Sequence, residues 1–240
     1  MRQLHRPSLS QRTQRFLAAR TRDVVASVKP AERAAALWAL RRNKAFEEIR
    51  DTLQRMATGL ERCMYCEDSQ GTDIDHFRPK NAYPQHAYDW TNYFLACSHC
   101  NSNEKRDQFP LDTSGSALLI DPVLDDPTDH LEFSPSTGKL VPLTAKGVSS
   151  RDVFGLDREV LVRGRVDAWV AMQALLVRYD ALMTERRWKV ANAIKRALSE
   201  HPFSSTLVRL VCLSKGAGAR LIERDCLMVL QRRPDIATWI

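Results

Sequence analysis

Cys63-Met64-Tyr65-Cys66 and Cys97-Ser98-His99-Cys100 are two Cys-x-x-Cys pairs separated by thirty residues. Each pair is a tight knuckle offering two sulfurs, and four thiolates at such spacing suit a closed, tetrahedral, structural zinc site. A redox reading of either pair needs a thioredoxin-like strand–helix setting, which the surrounding residues do not supply. Disulfides are the usual use of six cysteines in short exported chains, and this chain of 240 residues is not short. The remaining two, Cys212 and Cys226, lie in apolar, helical-looking stretches and read as buried packing residues.

Outside the knuckles the composition is that of a packed globule, 44% hydrophobic and 27% charged. No stretch approaches the ~20 consecutive apolar residues of a membrane helix. Met1 to Arg6 carries charge with no apolar core behind it, so a cytoplasmic location is expected. The net charge of +7 is unevenly placed. Residues 1–60 hold 13 basic and 5 acidic side chains, 61–110 hold 5 and 8, 111–155 hold 3 and 7, and 156–240 hold 15 and 9. An acidic middle between basic flanks suits a protein that grips phosphates with its flanks and acts on one of them in the middle.

The periodicity predicts a mainly α chain with a small α+β insert. Residues 1–60 form a basic N-terminal segment, in which 1–22 read as a partly ordered arm and Ala31 to Met56 as one long helix opened by Pro30. Its apolar stripe runs through Leu37, Leu40, Phe46, Ile49, Leu53 and Met56. Residues 61–110 form the metal module, and 111–155 a turn-rich connecting arm with extended pieces near Leu118 to Ile120 and Leu140 to Leu143. Residues 156–240 are a helical C-terminal region, with one long run from Val160 to Leu182 and closing helices over Thr206 to Leu213 and Leu221 to Leu230. Its apolar stripes either pack internally or dock a partner.

Between the knuckles stands Ile74-Asp75-His76-Phe77-Arg78-Pro79-Lys80, and sixteen residues after His76 comes Asn92 in Asp89-Trp90-Thr91-Asn92. The second knuckle continues as Cys97-Ser98-His99-Cys100-Asn101-Ser102-Asn103-Glu104-Lys105. In the order and spacing of these residues the chain resembles the HNH endonucleases, whose ββα-metal unit carries an Asp-His pair, a central Asn and a His or Asn after a Cys-x-x-Cys. The resemblance implies that Asn92 fixes the loop that aims His76 and that Asp75 and Asn101 bind a divalent ion. Lys105 falls one residue later than the common spacing, which leaves Asn101 and Asn103 both open for the metal position.

The chemistry fits those residue types. A phosphodiester resists attack because its anionic oxygens repel the nucleophile and its alkoxide leaves poorly; a hard cation answers both difficulties. Asp75 and an Asn carboxamide oxygen suit Mg²⁺ or Mn²⁺. His76, its strand neighbour, would point to the other side and take a proton from water. Zinc on Cys63, Cys66, Cys97 and Cys100 would be structural, since some fifty turn-rich residues bury little apolar surface alone. Arg78 and Lys80 are candidates for phosphate contact. His86, His99, His130 and His201 are given no role.

The combination of both knuckles, Asp75 to Lys80, Asp89 to Asn92, Phe109-Pro110, Ile120-Asp121-Pro122 and Gly155-Leu156-Asp157-Arg158 is similar to the HNH proteins of Septu and retron-linked antiphage systems, the PtuB-like group. That resemblance implies a nuclease effector acting on DNA together with an ABC/SMC-like ATPase subunit (PtuA-like). No Gly-x-x-x-x-Gly-Lys-Ser/Thr occurs in these 240 residues, so an ATP site is expected on the other chain. The alternatives are a zinc-stapled module that binds nucleic acid without cutting it, and an HNH nuclease for modified DNA or RNA.

Overall fold

The computed structural model describes residues 1–239. Three helices open the chain: α1 (Gln11–Val25), α2 (Pro30–Ala39) and α3 (Lys44–Met56). The expected partly ordered arm is therefore a docked helix. Ser10 caps α1 through its hydroxyl, while Glu48 on α3 accepts hydrogen bonds from the Ser10 backbone N–H and from the hydroxyls of Ser10 and Thr13. Leu9, Leu17 and Val24 are buried beneath it.

The single helix expected from Ala31 to Met56 is two helices. The chain turns at residues 40–43 because the Asn43 carboxamide accepts hydrogen bonds from the N–H groups of Ala45 and Phe46, capping a new helix instead of continuing the old one. Leu40, read as part of the apolar stripe, is 65% exposed at this break. Phe46, Ile49, Leu53 and Met56 keep the buried face of α3.

The module follows as an antiparallel pair, β1 (Asp73–His76) with β2 (Tyr93–Ala96), in which Asp75 faces Phe94 and His76 faces Tyr93. A short, wide helical segment, His99–Lys105, then leaves the second knuckle. It closes with a bond from the Arg106 N–H to the Asn101 carbonyl, five residues back, which is how the extra residue before Lys105 is absorbed. Together these elements form the expected ββα arrangement.

A second hairpin, β3 (Leu131–Phe133) with β4 (Leu140–Pro142), precedes α4 (Ala145–Val153). Then come α5 (Glu159–Thr184), α6 (Trp188–Ser199), α7 (Ser205–Leu213) and α8 (Arg224–Arg232). Helix α6 was not anticipated. Cys226 is buried as expected; Cys212 is exposed instead, on the outer face of α7.

One continuous apolar core runs through all four sequence segments, from Leu9 through Ile49, Tyr65, Phe94, Leu119 and Phe154 to Leu176 and Ile236. The Tyr65 ring stacks on Phe154 with centroids 4.0 Å apart, joining the first knuckle to the C-terminal half. Arg165, almost wholly buried, donates to the Gly138 and Leu156 carbonyls and to Asp157. Gly138 sits at φ +71°, and a side chain there would run into the Val162 carbonyl, so the β3–β4 turn can lie flat on α5 only as glycine. No described helix is long and apolar enough to cross a membrane.

Replacing Asn43 by Ala removes the α3 cap; equilibrium urea unfolding is expected to show a loss of about 1 kcal/mol with an unchanged m value.

Candidate active site

The four knuckle cysteines are buried, none is in a disulfide, and their sulfurs lie within 4.8 Å of one another, with Cys66 and Cys97 Sγ 3.9 Å apart. A tetrahedron of thiolates about 2.3 Å from a metal places its sulfurs about 3.8 Å apart, so the cluster has the dimensions for one ion. Crowding makes the thiols share protons. Cys97 is held well below the ordinary thiol range by S–H donation from Cys100, Cys63 and Cys66, and Cys66 is drawn down to about 6, chiefly by Cys100. Burial pushes Cys63 the other way. A cation replaces those shared protons with coordinate bonds. The Arg158 guanidinium, at the start of α5, reaches Cys100 Sγ at 3.6 Å and adds positive charge beside the sulfurs.

Strand alternation divides β1 into two faces. On one lie Asp73 and Asp75, opposite the helical segment that carries Asn101 and Lys105. The two pairs match in register: Asn101 Nδ2 donates to Asp73 Oδ2 at 3.1 Å, and Lys105 Nζ donates to Asp75 Oδ1 at 3.1 Å. Lys105 is 0% exposed and Asp75 3%, so this is a buried ion pair. Its remaining needs are met locally. Lys105 also donates to the His76 carbonyl at 2.7 Å, and the Tyr65 hydroxyl donates to Asp75 Oδ2 at 2.6 Å. Burial, with the Asp75 carboxylate beside it, pushes the Tyr65 phenol well up, which keeps its proton in place for that bond.

Asp75 and Asn101 were expected to hold one cation between them. In the structure each Asp75 oxygen accepts a hydrogen bond from a protein donor, and the Asn101 amide donates to Asp73. The physical reason is the wide turn, which places Lys105, rather than Asn101, under Asp75. Asn103, the other candidate, is exposed, and only its backbone carbonyl accepts a hydrogen bond, from Arg106. At the half-exposed end of this face Asp73 and Asn101 meet, carboxylate oxygen to amide nitrogen.

His76 occupies the other face of the strand. Its Nε2–H donates to the Ala87 carbonyl at 3.0 Å, which assigns the tautomer and leaves Nδ1 as the lone-pair nitrogen. The Trp38 ring lies 4.3 Å from the imidazole centroid and the Tyr93 ring 5.3 Å. Only 7% exposed, the imidazole is pulled down to about 3, first by burial and further by Lys80, Lys105 and Arg41, with the Ala87 bond opposing. Burial thus favours its neutral form.

Asn92 pins the loop between the strands. Its carbonyl oxygen accepts from the Arg78 N–H at 2.7 Å, and its amide donates to the carbonyls of Arg78 and His86, each at 3.0 Å. These bonds fix residues 78–87, and with them the Ala87 carbonyl that orients His76. Arg78 is exposed beside His86, whose Nδ1 meets Asp89 at 2.6 Å, in a cleft also lined by Lys146. Trp38 and Asp73 were not singled out in the sequence. The alternation in Asp73-Ile74-Asp75 was a signal for the second, whereas nothing local marks Trp38.

Residues 63–107 match the HNH endonuclease family. Over 150 residues the chain is 31% identical to the Septu protein PtuB of Bacillus mycoides (strain KBAB4), covering 50% of each. Over 102 residues it is 29% identical to the Septu protein PtuB of Bacillus thuringiensis, covering 40% of this chain and 37% of that protein. The chain thus spans half or less of the length of these curated relatives.

Replacing Lys105 by Met strands a buried carboxylate; chemical unfolding is expected to show a loss of about 3–5 kcal/mol, partly restored when Asp75 is also changed to Asn. Cys97→Ser is expected to lower both bound metal and the cooperativity of unfolding, read by metal analysis and circular dichroism on the same preparation.

Proposed function

We propose that the protein is a metal-dependent HNH endonuclease that hydrolyses phosphodiester bonds in DNA, serving as the nuclease effector of a Septu-like antiphage system alongside an ATPase subunit. The observation that carries this reading is His76: an imidazole held neutral, with its tautomer set by Ala87, inside a loop clamped by Asn92. The similarity to two Septu proteins named PtuB supports the defence setting. The Cys63, Cys66, Cys97 and Cys100 cluster is assigned to structural zinc, because four buried thiolates suit a soft, tetrahedral ion and leave no ligand position open.

In this reading His76 Nδ1 takes a proton from the attacking water, and the Nε2–H bond to Ala87 steadies the ring as positive charge develops on it. Asn92 and Lys105 are positioning residues: one fixes the Ala87 carbonyl, the other the His76 backbone carbonyl. A hard divalent cation such as Mg²⁺ or Mn²⁺ would neutralise phosphate charge. Asp73 and Asn101 would hold such an ion only with the Asn101 carboxamide turned over, since its Nδ2, not Oδ1, now faces Asp73. Asp75, held by Lys105 and Tyr65, keeps one lone pair on each oxygen for such an ion.

One observation favours a second reading. Each Asp75 oxygen already has a protein donor and the imidazole is covered by Trp38, an arrangement that also suits a zinc-stapled module that binds nucleic acid without cutting it. Supercoiled plasmid separates the two. With Mg²⁺ or Mn²⁺, and with the ATPase subunit supplied, the wild-type chain is expected to nick it. His76→Ala, still folded by circular dichroism, is expected to be about 10²–10⁴-fold slower. Equal rates for the two proteins would remove His76 from the chemistry, and absence of any metal-dependent nicking would leave the binding reading in its place.

A further inference from the structure

Positive charge is distributed differently at the two ends of the molecule. In the C-terminal half many arginines are neutralised by neighbours: Arg158 by Glu104, Arg165 by Asp157, Arg178 and Arg187 by Glu185, Arg209 by Glu132, and Arg232 and Arg233 by Asp180. Arg186, Lys189, Lys195, Arg196, Lys215, Arg220 and Arg224 form no ion pair among the described residues, but around the α2–α3 turn six such cations stand together along two clefts. Arg12, Arg20, Arg41, Arg42, Lys44 and Arg50 form no ion pair among the described residues, whereas Lys29 and Arg33, at the far end of α2, are paired with Glu32 and Asp23.

These six cations line two adjoining clefts. One, of about 440 Å³, is walled by Arg41, Arg42 and Arg50 and floored by Phe46 and Ile74. The other, of about 540 Å³, is walled by Arg12, Arg20 and Lys44, and the two share Asn43. Glu47 and Asp51 also border the first, and Glu48 borders the second. Three cations face two carboxylates in the first cleft and one in the second, so each keeps a cationic excess.

The clefts lead to the imidazole face of the module. Ile74 is two residues before His76 and therefore on the same face of β1. The Arg41 guanidinium lies over the Trp38 ring, 5.4 Å from its centroid, and Trp38 in turn covers His76. Arg50 donates to the Thr72 carbonyl at the entry to β1, holding one wall of the groove against the strand. Leu40, exposed at the turn, is an apolar point in the second cleft.

We propose that this groove, formed by Arg41, Arg42 and Arg50 and continued by Arg12, Arg20 and Lys44, is the track for the DNA backbone, and that it delivers the scissile phosphate to the His76 face. Unpaired guanidinium and ammonium groups arranged along a cleft match a polyanion whose charges repeat along a line, and binding there releases condensed counterions. The identity of the polyanion rests on the nuclease reading; the location of its contacts does not.

Fluorescence anisotropy with a labelled duplex, without added divalent cation, tests the groove apart from the chemistry. The variant R41A/R42A/R50A is expected to bind at least tenfold more weakly at 0.1 M salt, with the slope of log K against log salt reduced by about 2–3. R41K/R42K/R50K keeps the charge and is expected to hold that slope, which separates charge from folding. R178A/R187A, removing paired arginines elsewhere, is expected to match wild type. Wild-type affinity and slope in R41A/R42A/R50A would overturn the proposal, as would equal losses in R178A/R187A. Plasmid nicking distinguishes the two readings: a groove that binds in a chain that never cuts retains the track and refutes the nuclease, and cutting with unchanged KM in R41A/R42A/R50A does the reverse. Tight, salt-sensitive binding of structured RNA at the groove, with duplex DNA indifferent to the three substitutions, would also refute it.

Discussion

A lysine ammonium with no access to water, held between one carboxylate and one backbone carbonyl, sets the geometry of this module. Taking an ammonium and a carboxylate out of water costs several kcal/mol per ion, and only close pairing with further hydrogen bonds offsets it. Lys105 meets that condition through Asp75 and the His76 carbonyl, and Asp75 through Lys105 and the Tyr65 hydroxyl. Neither end can shift by a residue without stranding a charge. The pair therefore fixes how the helical segment lies along β1, and Asn101 falls on Asp73 as a consequence. The wide turn between Asn101 and Lys105 is the backbone's accommodation to that demand.

The sulfur cluster and the core divide the remaining work. Four thiols close the loop from residue 63 to residue 100, yet the module is not sealed off from the rest of the chain. Tyr65 stacks on Phe154, Arg158 reaches Cys100, and the module's aromatic residues Phe94 and Tyr93 belong to the same core as helices from both ends. Binding a metal at the knuckles is thus coupled to the packing of α3 and of the α4–α5 region, not to fifty residues alone. This explains why the N-terminal segment, read as an arm, is folded: Leu9 and Leu17 have an apolar surface to cover, and Glu48 supplies the hydrogen bonds that start α1.

Local spacing made part of this legible. Two Cys-x-x-Cys pairs, the Asp75-His76 alternation and the place of Asn92 are short-range patterns, and their geometry follows from backbone periodicity alone. What escaped was set by contacts distant in sequence or by capping. The apolar stripe from Leu37 to Met56 slips out of phase between Leu40 and Phe46, and the Asn43 side chain, which prefers a cap to a helix interior, carried the same information that the helix ends. Trp38 gained its position on His76 from the fold of α2 across the module, which no spacing encodes. The partner of Asp75 was ambiguous for a related reason: one extra residue before Lys105 could have been absorbed as a loop or as a widened turn, and burial of the ammonium selected the turn. Cys212 misled because an apolar run surrounds it, although its own position points outward.

Charge makes the same point in another form. By segment totals the N-terminal 60 residues and the C-terminal 85 are both strongly basic, and totals alone would assign either to a polyanion. Pairing discriminates where counting does not. A guanidinium already bound to a carboxylate must break that bond before it can serve a phosphate, and exchanging one anionic partner for another yields little free energy. An unpaired one exchanges only water and a loosely condensed counterion. Among the C-terminal arginines, Arg165, Arg209, Arg232 and Arg233 are tied to Asp157, Glu132 and Asp180, whereas Arg186, Arg196, Arg220 and Arg224 form no ion pair among the described residues. The cations around the α2–α3 turn have no such tie either, and the strand they flank is the one that carries His76.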